Sequence, residues 1–418
     1  MRLLAALVAL VAASCRPAGP PTTVPAKPLE KEPVVRVGIA VGVAEVAVGS
    51  AAPFEITVTT TGETVRARGG ESWVFAAAGA GEVVGRGPGG RTIGPTSSLI
   101  RVQVPGGQEP VTIAGKPYRG GALIRPGNGG GVTAINIVEL ETYLLGVVPL
   151  EIGARPPEEL EAVKAQAVAA RTYAVGHLSG RESLGFDFYA TIADQVYGGA
   201  AAEHPTTSRA VRETAGEIVT YRGNPILAYY HSTCGGRTAA IEEVWPRAPV
   251  PYLKSVSDEV EGQKGKYYCE TSRRFRWDVS WAGQALRETL ARTLAARAGR
   301  SQPEPIGKVR GIEVEGRTQS GRARRLVVET DAGRYTVPGD SIRRVLEPAP
   351  GQMLNSTLFV LDAKEEGGEV AELRARGGGW GHGVGMCQVG AMGRARAGQD
   401  YRKILTTYYQ GTEIVRVY

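Results

Sequence analysis

The pattern of apolar and polar residues changes at Gly131, and this change limits the fold more than any other feature. Before it, from Val34 to about Arg125, short alternating apolar runs are separated by Gly-rich turns, a pattern typical of antiparallel β structure. After it, "GVTAINIVELETYLLGVV" alternates and then becomes wholly apolar, which predicts a buried strand running into a helical turn. The abundance of glycine (57) and proline (26) favours short strands and turns over a helical bundle. The sequence therefore predicts an α+β fold, with a β-rich N-terminal module followed by a core of antiparallel strands and a few helices.

Two later segments have helical patterns. "PPEELEAVKAQAVAARTYAVGHL" begins with Pro156 and Pro157 and carries acids in its first turn, which is favourable at the positive end of a helix dipole. A second helix is predicted within residues 280–299. Strands and a hairpin are expected over residues 308–346, and the chain should close with a Gly-rich loop, a helix and a last strand.

The N-terminus predicts export. Residues 1–15 combine Arg2, a short apolar run and small residues, which is typical of a signal peptide and too short to span a membrane. Cys15 is a candidate lipidation site of a bacterial lipoprotein, and an ordinary cleaved signal with an incidental Cys is the alternative. We therefore expect an exported protein of the cell envelope, in contact with the membrane only through this N-terminal signal or lipid anchor.

The predicted organisation has four parts. They are a signal peptide (1–15), a Pro-rich linker (16–33), a β-rich module (34–125) and an α+β catalytic core (126–418). The formal net charge of +7 suits an anionic polymer, but the basic residues are scattered without interleaved aromatics. No nucleic-acid partner is therefore predicted, and a cell-wall polymer fits the charge equally well.

Glu151 is the first candidate for chemistry. It ends an apolar run and is flanked by Leu150 and Ile152, so burial should disfavour its charged form and raise its pKa towards the range of a general acid. Capping of the next helix, or a solvated surface position, is the alternative. On that helix, Lys164 and Arg171 share one face; they could hold polar ligand groups or serve only as structural ion-pair partners, such as Glu161 with Lys164.

Three further segments carry candidate binding residues. In "ADQVYGG", the amide of Gln195 and the ring of Tyr197 suit a sugar site, and an ordinary buried Tyr is the alternative. In "GGGWGHGVGMCQVGA", Trp380 could stack on a sugar ring while His382 and Gln388 bond its hydroxyls, although a Gly-rich turn around one aromatic residue would look the same.

The segment "YYHSTCGGRT" contains His231 and Cys234. A zinc site needs three or four protein ligands, and the ligand set around His231 is incomplete, so no metal ligand or cofactor is predicted. His231 is better explained by a hydrogen bond in a cleft. A disulfide between Cys234 and Cys269 is preferred, because Cys387 falls in a distant motif, but the sequence leaves the other pairings open.

Together these segments resemble the SpoIID/LytB family of bacterial cell-wall proteins. The resemblance covers roughly residues 131–418, in family order, and rests on the motifs "INIVELETYLLGVVPLEI", "EAVKAQAVAARTYAV", "DQVYGG", "YYHSTCGGRT", "SGRARRLVV" and "GWGHGVGMCQVGAMGRA". It does not cover the N-terminal β module.

The resemblance implies a peptidoglycan lytic transglycosylase that cleaves the MurNAc–GlcNAc bond of peptide-stripped glycan strands, leaving 1,6-anhydroMurNAc ends. It assigns the catalytic acid to Glu151 and makes His231 a surrounding residue. Some members bind zinc through a His and nearby cysteines; His231 matches, but the cysteine pattern does not. The family name also implies a different role, a non-catalytic wall-binding enhancer of an N-acetylmuramoyl-L-alanine amidase. A zinc-dependent hydrolase using His231 and Cys234 is a third reading.

Overall fold

A computed structural model describes residues 29–79, 81–297 and 305–418. The predicted signal peptide, Cys15 and most of the Pro-rich linker lie outside the described residues. Within the described part, no helix is long and apolar enough to cross a membrane.

The strands are numbered in chain order. They are β1 Val34–Val43, β2 Glu45–Ser50, β3 Phe54–Val58, β4 Thr64–Ala67, β5 Ser72–Gly79, β6 Glu82–Arg86, β7 Thr92–Thr96, β8 Ile100–Gln103, β9 Val111–Ile113, β10 Lys116–Tyr118, β11 Gly121–Pro126, β12 Val132–Glu139, β13 Phe188–Tyr189, β14 Glu217–Tyr221, β15 Asn224–Pro225, β16 Tyr230–His231, β17 Trp277–Ala282, β18 Val309–Arg317, β19 Ala323–Thr330, β20 Gly333–Pro338, β21 Phe359–Glu366, β22 Glu369–Gly377, β23 Met386–Cys387 and β24 Glu413–Arg416.

Within the described residues, every α-helix follows strand β12. They are α1 Leu140–Ile152, α2 Leu160–His177, α3 Pro205–Glu213, α4 Ile241–Val244, α5 Gly283–Arg297, α6 Ile342–Val345, α7 Gln388–Arg396 and α8 Tyr401–Tyr408, with short 3₁₀ turns between several of them. The α+β fold predicted from the sequence is thereby confirmed.

The N-terminal strands form two sheets that share their core with the helices. In the seven-stranded sheet the order is β13-β1-β12-β11-β8-β3-β4, and the six-stranded sheet runs β10-β9-β2-β5-β6-β7. Strand β12 lies between β1 and β11, so the boundary predicted after residue 125 cuts through one sheet. One hydrophobic core extends from Val35 in β1 to Tyr409 near the C-terminus. The β-rich segment is therefore packed as part of the body that carries α1 and α2.

The segment that follows β12 is more helical than its sequence indicates. The predicted helical turn is the 13-residue helix α1. Its residues are apolar on nearly every side because the sheet and α2 enclose it, so the sequence shows no amphipathic period. Gly153 ends the helix at φ 80°, a conformation that glycine adopts without strain, and its N–H bonds the Pro149 carbonyl at 3.0 Å.

A second core forms between Trp281 and Ala375. Helix α5 packs on the sheet β17-β22-β21, and β18, β19 and β20 form a three-stranded antiparallel sheet beside it. Trp277 pairs directly with Gly377, so the chain enters and leaves this second core at neighbouring points. It still reaches the first core, since Arg322 donates to the Cys234 carbonyl at 3.3 Å.

Candidate active site

Glu151 lies in the last turn of α1, beside a loop that follows β13. Its Oε1 accepts a hydrogen bond from the Val196 N–H at 3.2 Å. Burial raises the pKa of its carboxyl, while the hydrogen bonds from Val196 and from the Tyr230 side chain oppose that rise. The C-terminal end of a helix carries a partial negative charge, which further disfavours a carboxylate there. The arrangement favours a carboxyl that keeps its proton at a higher pH than a free Glu.

Tyr230 connects Glu151 to the buried side of the site. Its hydroxyl accepts a hydrogen bond from Gln195 Nε2 at 3.3 Å, and Gln195 Oε1 accepts one from the Tyr143 hydroxyl at 3.3 Å. Gln195 is almost completely buried, and both ends of its amide are engaged. Gln195 therefore does not face solvent. It lies on the buried side of Tyr230 and orients the Tyr230 hydroxyl towards Glu151.

Gln388 fixes the backbone at Glu151 from the opposite side. Its Nε2 donates to the Glu151 carbonyl at 2.9 Å and to Gln166 Oε1 at 3.1 Å. Gln388 is the first residue of α7, while Gln166 lies in the middle of α2. The last turn of α1, helix α2 and the start of α7 are joined at this point.

A two-stranded parallel pair brings two predicted motifs together. In it, β16 and β23 pair Tyr230 with Met386 and His231 with Cys387. The rings of His231 and His382 lie 5.6 Å apart, centroid to centroid. Both imidazoles are neutral at pH 7, because burial lowers the pKa of His382 to about 4 and that of His231 well below its ordinary value.

The two histidines make different contacts. His231 Nδ1 faces the Val384 carbonyl at 3.2 Å, and its Nε2 has no hydrogen-bond partner in the described part of the chain. His382 Nδ1 instead accepts from the Val384 N–H at 3.1 Å. The His382 imidazole also bonds the Tyr230 backbone. Nearby, the Arg274 guanidinium covers one face of the Trp380 ring at 4.0 Å. A sugar that stacked on Trp380 would have to take the other face or displace Arg274.

Three predicted binding residues lie in structural contacts. Tyr197 is buried and its hydroxyl donates to Asn136 Oδ1 at 2.9 Å. Arg171 is 0% exposed and pairs with Glu141 through two hydrogen bonds of 2.7 Å. Lys164 lies between Glu161 and Glu213, at 2.7 and 2.8 Å. For Lys164 and Arg171, these contacts support the structural alternative that the sequence left open, and a sugar does not reach Tyr197 in this arrangement.

Sequence reasoning missed Tyr230 and Gln166. Tyr230 directly precedes His231, so its place in the motif was visible, but nothing local indicates that its hydroxyl reaches Glu151. Gln166 is a polar residue inside an Ala-rich helix and is completely buried. A buried amide in such a helix needs a polar partner, and this was the available signal.

The cysteines and His231 separate into different clusters. Cys234 and Cys269 approach to 3.5 Å between sulfurs, but both are free thiols, so the predicted disulfide is not formed in this structure. Cys387, expected to lie apart, is the third member of the same cluster, because the parallel pairing of β16 and β23 brings it there. Among the described residues, the side chains close enough together to hold a metal ion are those of the three cysteines and Asp258, and His231 is not one of them. The residues around His231 therefore do not fit a zinc site built on that histidine.

An open cleft of about 1080 Å³ lies between the two cores. It is lined by aromatic and basic side chains that include Tyr267, Trp277, Phe359, Arg237 and Arg276. None of the predicted site residues that the structure describes lines this cleft. The cleft is therefore a surface separate from the Glu151 cluster.

Comparison with known proteins supplies the family. A family model described as "Stage II sporulation protein" matches residues 128–221, which include α1, Glu151 and α2, and a model for a domain of unknown function matches residues 262–385. An uncharacterised protein of Brachyspira hyodysenteriae is 33% identical over 309 residues, which are 74% of this chain and 75% of that protein.

Two relatives from Bacillus subtilis carry functional names. The amidase enhancer is 32% identical over 291 residues, 65% of this chain but only 40% of that longer protein. Stage II sporulation protein D is 30% identical over 298 residues, 67% of this chain and 76% of that protein. With the matched motifs assembled around Glu151, this chain belongs to the SpoIID/LytB family.

Proposed function

We propose that this protein is an exported peptidoglycan lytic transglycosylase in which Glu151 acts first as acid and then as base. The observation that carries the proposal is a single carboxyl group, largely screened from water, whose pKa is raised by burial. Peptide-stripped glycan strands are the proposed substrate, and the cell envelope is the proposed location.

One carboxyl group is enough for this reaction. A glycoside hydrolase ordinarily uses two, one as acid and one as base or nucleophile. The nearest carboxylate along the adjoining loop is Asp194, which is buried in an ion pair with Arg181 at 2.9 Å and accepts from the Tyr189 N–H at 2.8 Å. Asp194 is therefore already engaged, which supports chemistry that Glu151 performs alone.

The bond changes balance without water. Protonated Glu151 gives its proton to the glycosidic oxygen as the bond to C1 of MurNAc breaks. The C6 hydroxyl of the same MurNAc bonds to C1 and closes the 1,6-anhydro ring. The Glu151 carboxylate then takes the proton of that hydroxyl, which returns the enzyme to its starting state. The Tyr230 hydroxyl and the Val196 N–H hold the carboxyl in place, and neutral His382 and Trp380 are the candidates for contacts with the glycan.

Glu151→Gln tests the assignment. The amide can accept the Val196 hydrogen bond but cannot donate a proton to the glycosidic oxygen, so turnover of peptide-free glycan strands should fall at least ~10²-fold. Mass spectrometry identifies the products, because an anhydro end is lighter than a hydrolysed end by one water. Because burial disfavours the charged Glu151 side chain in the folded state, the variant should be at least as stable as wild type at pH 7.

Glu158→Gln is the matched control. Glu158 is exposed on the turn before α2, so its amide variant should keep wild-type turnover. Product from wild type without anhydro ends, or an active Glu151→Gln variant, would remove Glu151 from this role.

A second candidate function is stimulation of an N-acetylmuramoyl-L-alanine amidase without catalysis. It is favoured by the 32% identity to a protein named amidase enhancer. In a reconstituted amidase assay on cell walls, a binding role predicts equal stimulation by wild type and by Glu151→Gln. Loss of stimulation in that variant would tie the effect to glycan cleavage instead.

A further inference from the structure

Three cysteines and one aspartate meet at a single buried point. They are Cys234, Asp258, Cys269 and Cys387, and their ligand atoms all lie within 4.8 Å of one another. All four residues are 0% exposed. The glycan chemistry proposed above uses none of them. Arg394 pairs with Asp258 at 3.2 Å, but this single ion pair does not explain why three thiols are gathered around the same buried carboxyl group.

The spacing of the ligand atoms matches tetrahedral coordination. With metal–sulfur bonds of about 2.3 Å and metal–oxygen bonds of about 2.1 Å, tetrahedral zinc holds its sulfurs about 3.8 Å apart and a sulfur and oxygen about 3.6 Å apart. The Cys234 and Cys269 sulfurs are 3.5 Å apart. The Cys234 sulfur lies 3.6 Å from Asp258 Oδ2. These two distances are close to the tetrahedral values, and all four ligand atoms lie within 4.8 Å of one another before any ion is added.

The surrounding groups hold the carboxylate for a ligand role. Asp258 Oδ1 accepts hydrogen bonds from the Tyr408 hydroxyl at 2.7 Å and from Arg394 Nη2 at 3.2 Å. Its other oxygen, Oδ2, is left facing the sulfurs. Hydrogen bonds of this kind to the outer oxygen of a ligating carboxylate are typical of metal sites, where they fix the orientation of the ligand.

Backbone N–H groups surround the sulfurs in the same way. The Cys387 sulfur accepts from the N–H of Cys234 at 3.2 Å and from that of Gly390 at 3.3 Å, and the Cys234 sulfur accepts from the Gly236 N–H at 3.4 Å. The Gly390 bond comes from the first turn of α7, for which Cys387 is the N-cap. Donors and a helix N-terminus both favour thiolate over thiol.

We propose that Cys234, Cys269, Cys387 and Asp258 bind one structural zinc ion. A tetrahedral set of three thiolates and one carboxylate suits zinc by ligand type and geometry. Four protein ligands leave no open position for a reacting water, so the ion does not take part in the glycan chemistry. His231 is not a ligand, because it lies outside the cluster and its Nδ1 faces the Val384 carbonyl. On binding, the thiol protons are released to solvent.

The ion would join the segments that form the site. Cys234 follows β16, Cys269 lies in the loop before β17, and Cys387 ends β23 and begins α7. The next residue, Gln388, donates to the Glu151 carbonyl at 2.9 Å. By fixing Cys387, zinc would also fix Gln388, the residue that bonds the backbone of the proposed catalytic Glu151. Its presence is a question of metal content and is independent of whether the proposed glycan cleavage occurs.

Metal content of the purified full chain tests the proposal. Protein prepared under reducing conditions without chelator should contain about one zinc per chain by elemental mass spectrometry. Cys387→Ser should lose most of that zinc; serine is itself a good N-cap, so α7 should still form. His231→Gln should keep its zinc, which separates this site from one built on the histidine.

Cobalt substitution covers the case in which Cys387→Ser fails to fold. Wild-type protein loaded with Co²⁺ should show the sulfur-to-cobalt charge-transfer absorption of a multi-thiolate tetrahedral site. Any of three results would overturn the proposal: wild type without zinc or this absorption, zinc lost in His231→Gln but kept in Cys387→Ser, or an intact mass showing a Cys234–Cys269 disulfide in place of metal.

Discussion

At the scale of single residues, the main feature is how the surroundings of Glu151 set its protonation. Burial raises the pKa of its carboxyl, and the bonds from Val196 and Tyr230 act against that rise. A carboxyl that must begin a reaction protonated gains from the first effect and is positioned by the second. The balance between them should therefore be visible in the pH dependence of turnover.

Tyr230→Phe should move the alkaline limb of the pH profile to higher pH. The active form of the acid is protonated, so activity falls as pH rises through the pKa of Glu151. Tyr230 lowers that pKa by bonding the charged form, and removing its hydroxyl therefore raises the pKa. The measurement is the pH profile of kcat/KM on peptide-free glycan strands. Tyr221→Phe, on the distant strand β14, should leave the limb in place, and a shift of the Tyr230 variant to lower pH would contradict the assigned hydrogen bond.

Residue positions near Glu151 were only partly predictable. The sequence offered Glu151 as the candidate acid, through its place at the end of an apolar run and through the family resemblance, and its catalytic role stays a prediction. Gln388 and His382 were predicted as sugar contacts, but the structure gives Gln388 a bond to the Glu151 backbone. Tyr230 was missed since it contacts Glu151 from 79 residues further along the chain, and no local pattern encodes a contact between such distant segments.

At the scale of elements, helix α2 is fixed by a buried ion pair. Arg171 bonds Glu141 at the start of α1 and also donates to the Glu217 and Val211 carbonyls, at 3.1 and 3.3 Å. These bonds join α2 to α1, α3 and β14. The arginine thus gives Glu141 its counter-charge and adds a donor to each of two backbone carbonyls.

Arg171→Ala should lower the free energy of unfolding by about 3–5 kcal/mol, because it removes the counter-charge of Glu141 from a largely buried ion pair. Lys164→Ala is the comparison on the same helix face; its pairs are partly exposed, and its cost should stay below about 1 kcal/mol. Urea unfolding measures both. An Arg171→Ala protein of normal stability with only a raised KM would instead indicate a substrate-binding arginine.

Elements were predicted best where a boundary signal was present. Pro157 and the acids after it marked the start of α2, and α5 lies inside the predicted range of residues 280–299, although Ser280 belongs to β17. The length of α1 was not predictable, since a helix enclosed on all sides lacks the polar face that gives a helical period. The C-terminal region holds two helices, α7 and α8, where the sequence predicted one.

At the scale of the whole molecule, the described chain has two large hydrophobic cores, and only the second is formed by one continuous segment that could fold by itself. The second core is entered and left through the paired residues Trp277 and Gly377. The N-terminal β segment has no such separation, because β12 lies between β1 and β11. The sequence placed a boundary after residue 125, just ahead of the change in residue pattern at Gly131. Such a pattern reflects local structure and does not show which strands share a sheet.

Two fragments should therefore behave differently. A fragment of residues 277–377 should unfold cooperatively in urea on its own, since it keeps its strands and its core together. A fragment of residues 34–125 should show no cooperative transition, because β1 and β11 lose the strand that joins them. Circular dichroism during urea titration distinguishes the cases. A cooperative 34–125 fragment beside a non-cooperative 277–377 fragment would reverse this division.

The first turn of helix α1 also holds the segment that precedes β1. At its first turn the Leu140 N–H bonds the Pro33 carbonyl at 2.9 Å and the Glu141 N–H bonds Glu32 Oε1 at 2.6 Å. Glu151 lies ten residues further along, about 15 Å away at about 1.5 Å per residue. Whatever precedes Leu29 is thus attached at the end of α1 opposite the carboxyl. A tag, a surface linkage or a lipid attached before Leu29 would therefore join the chain near the start of α1, away from Glu151.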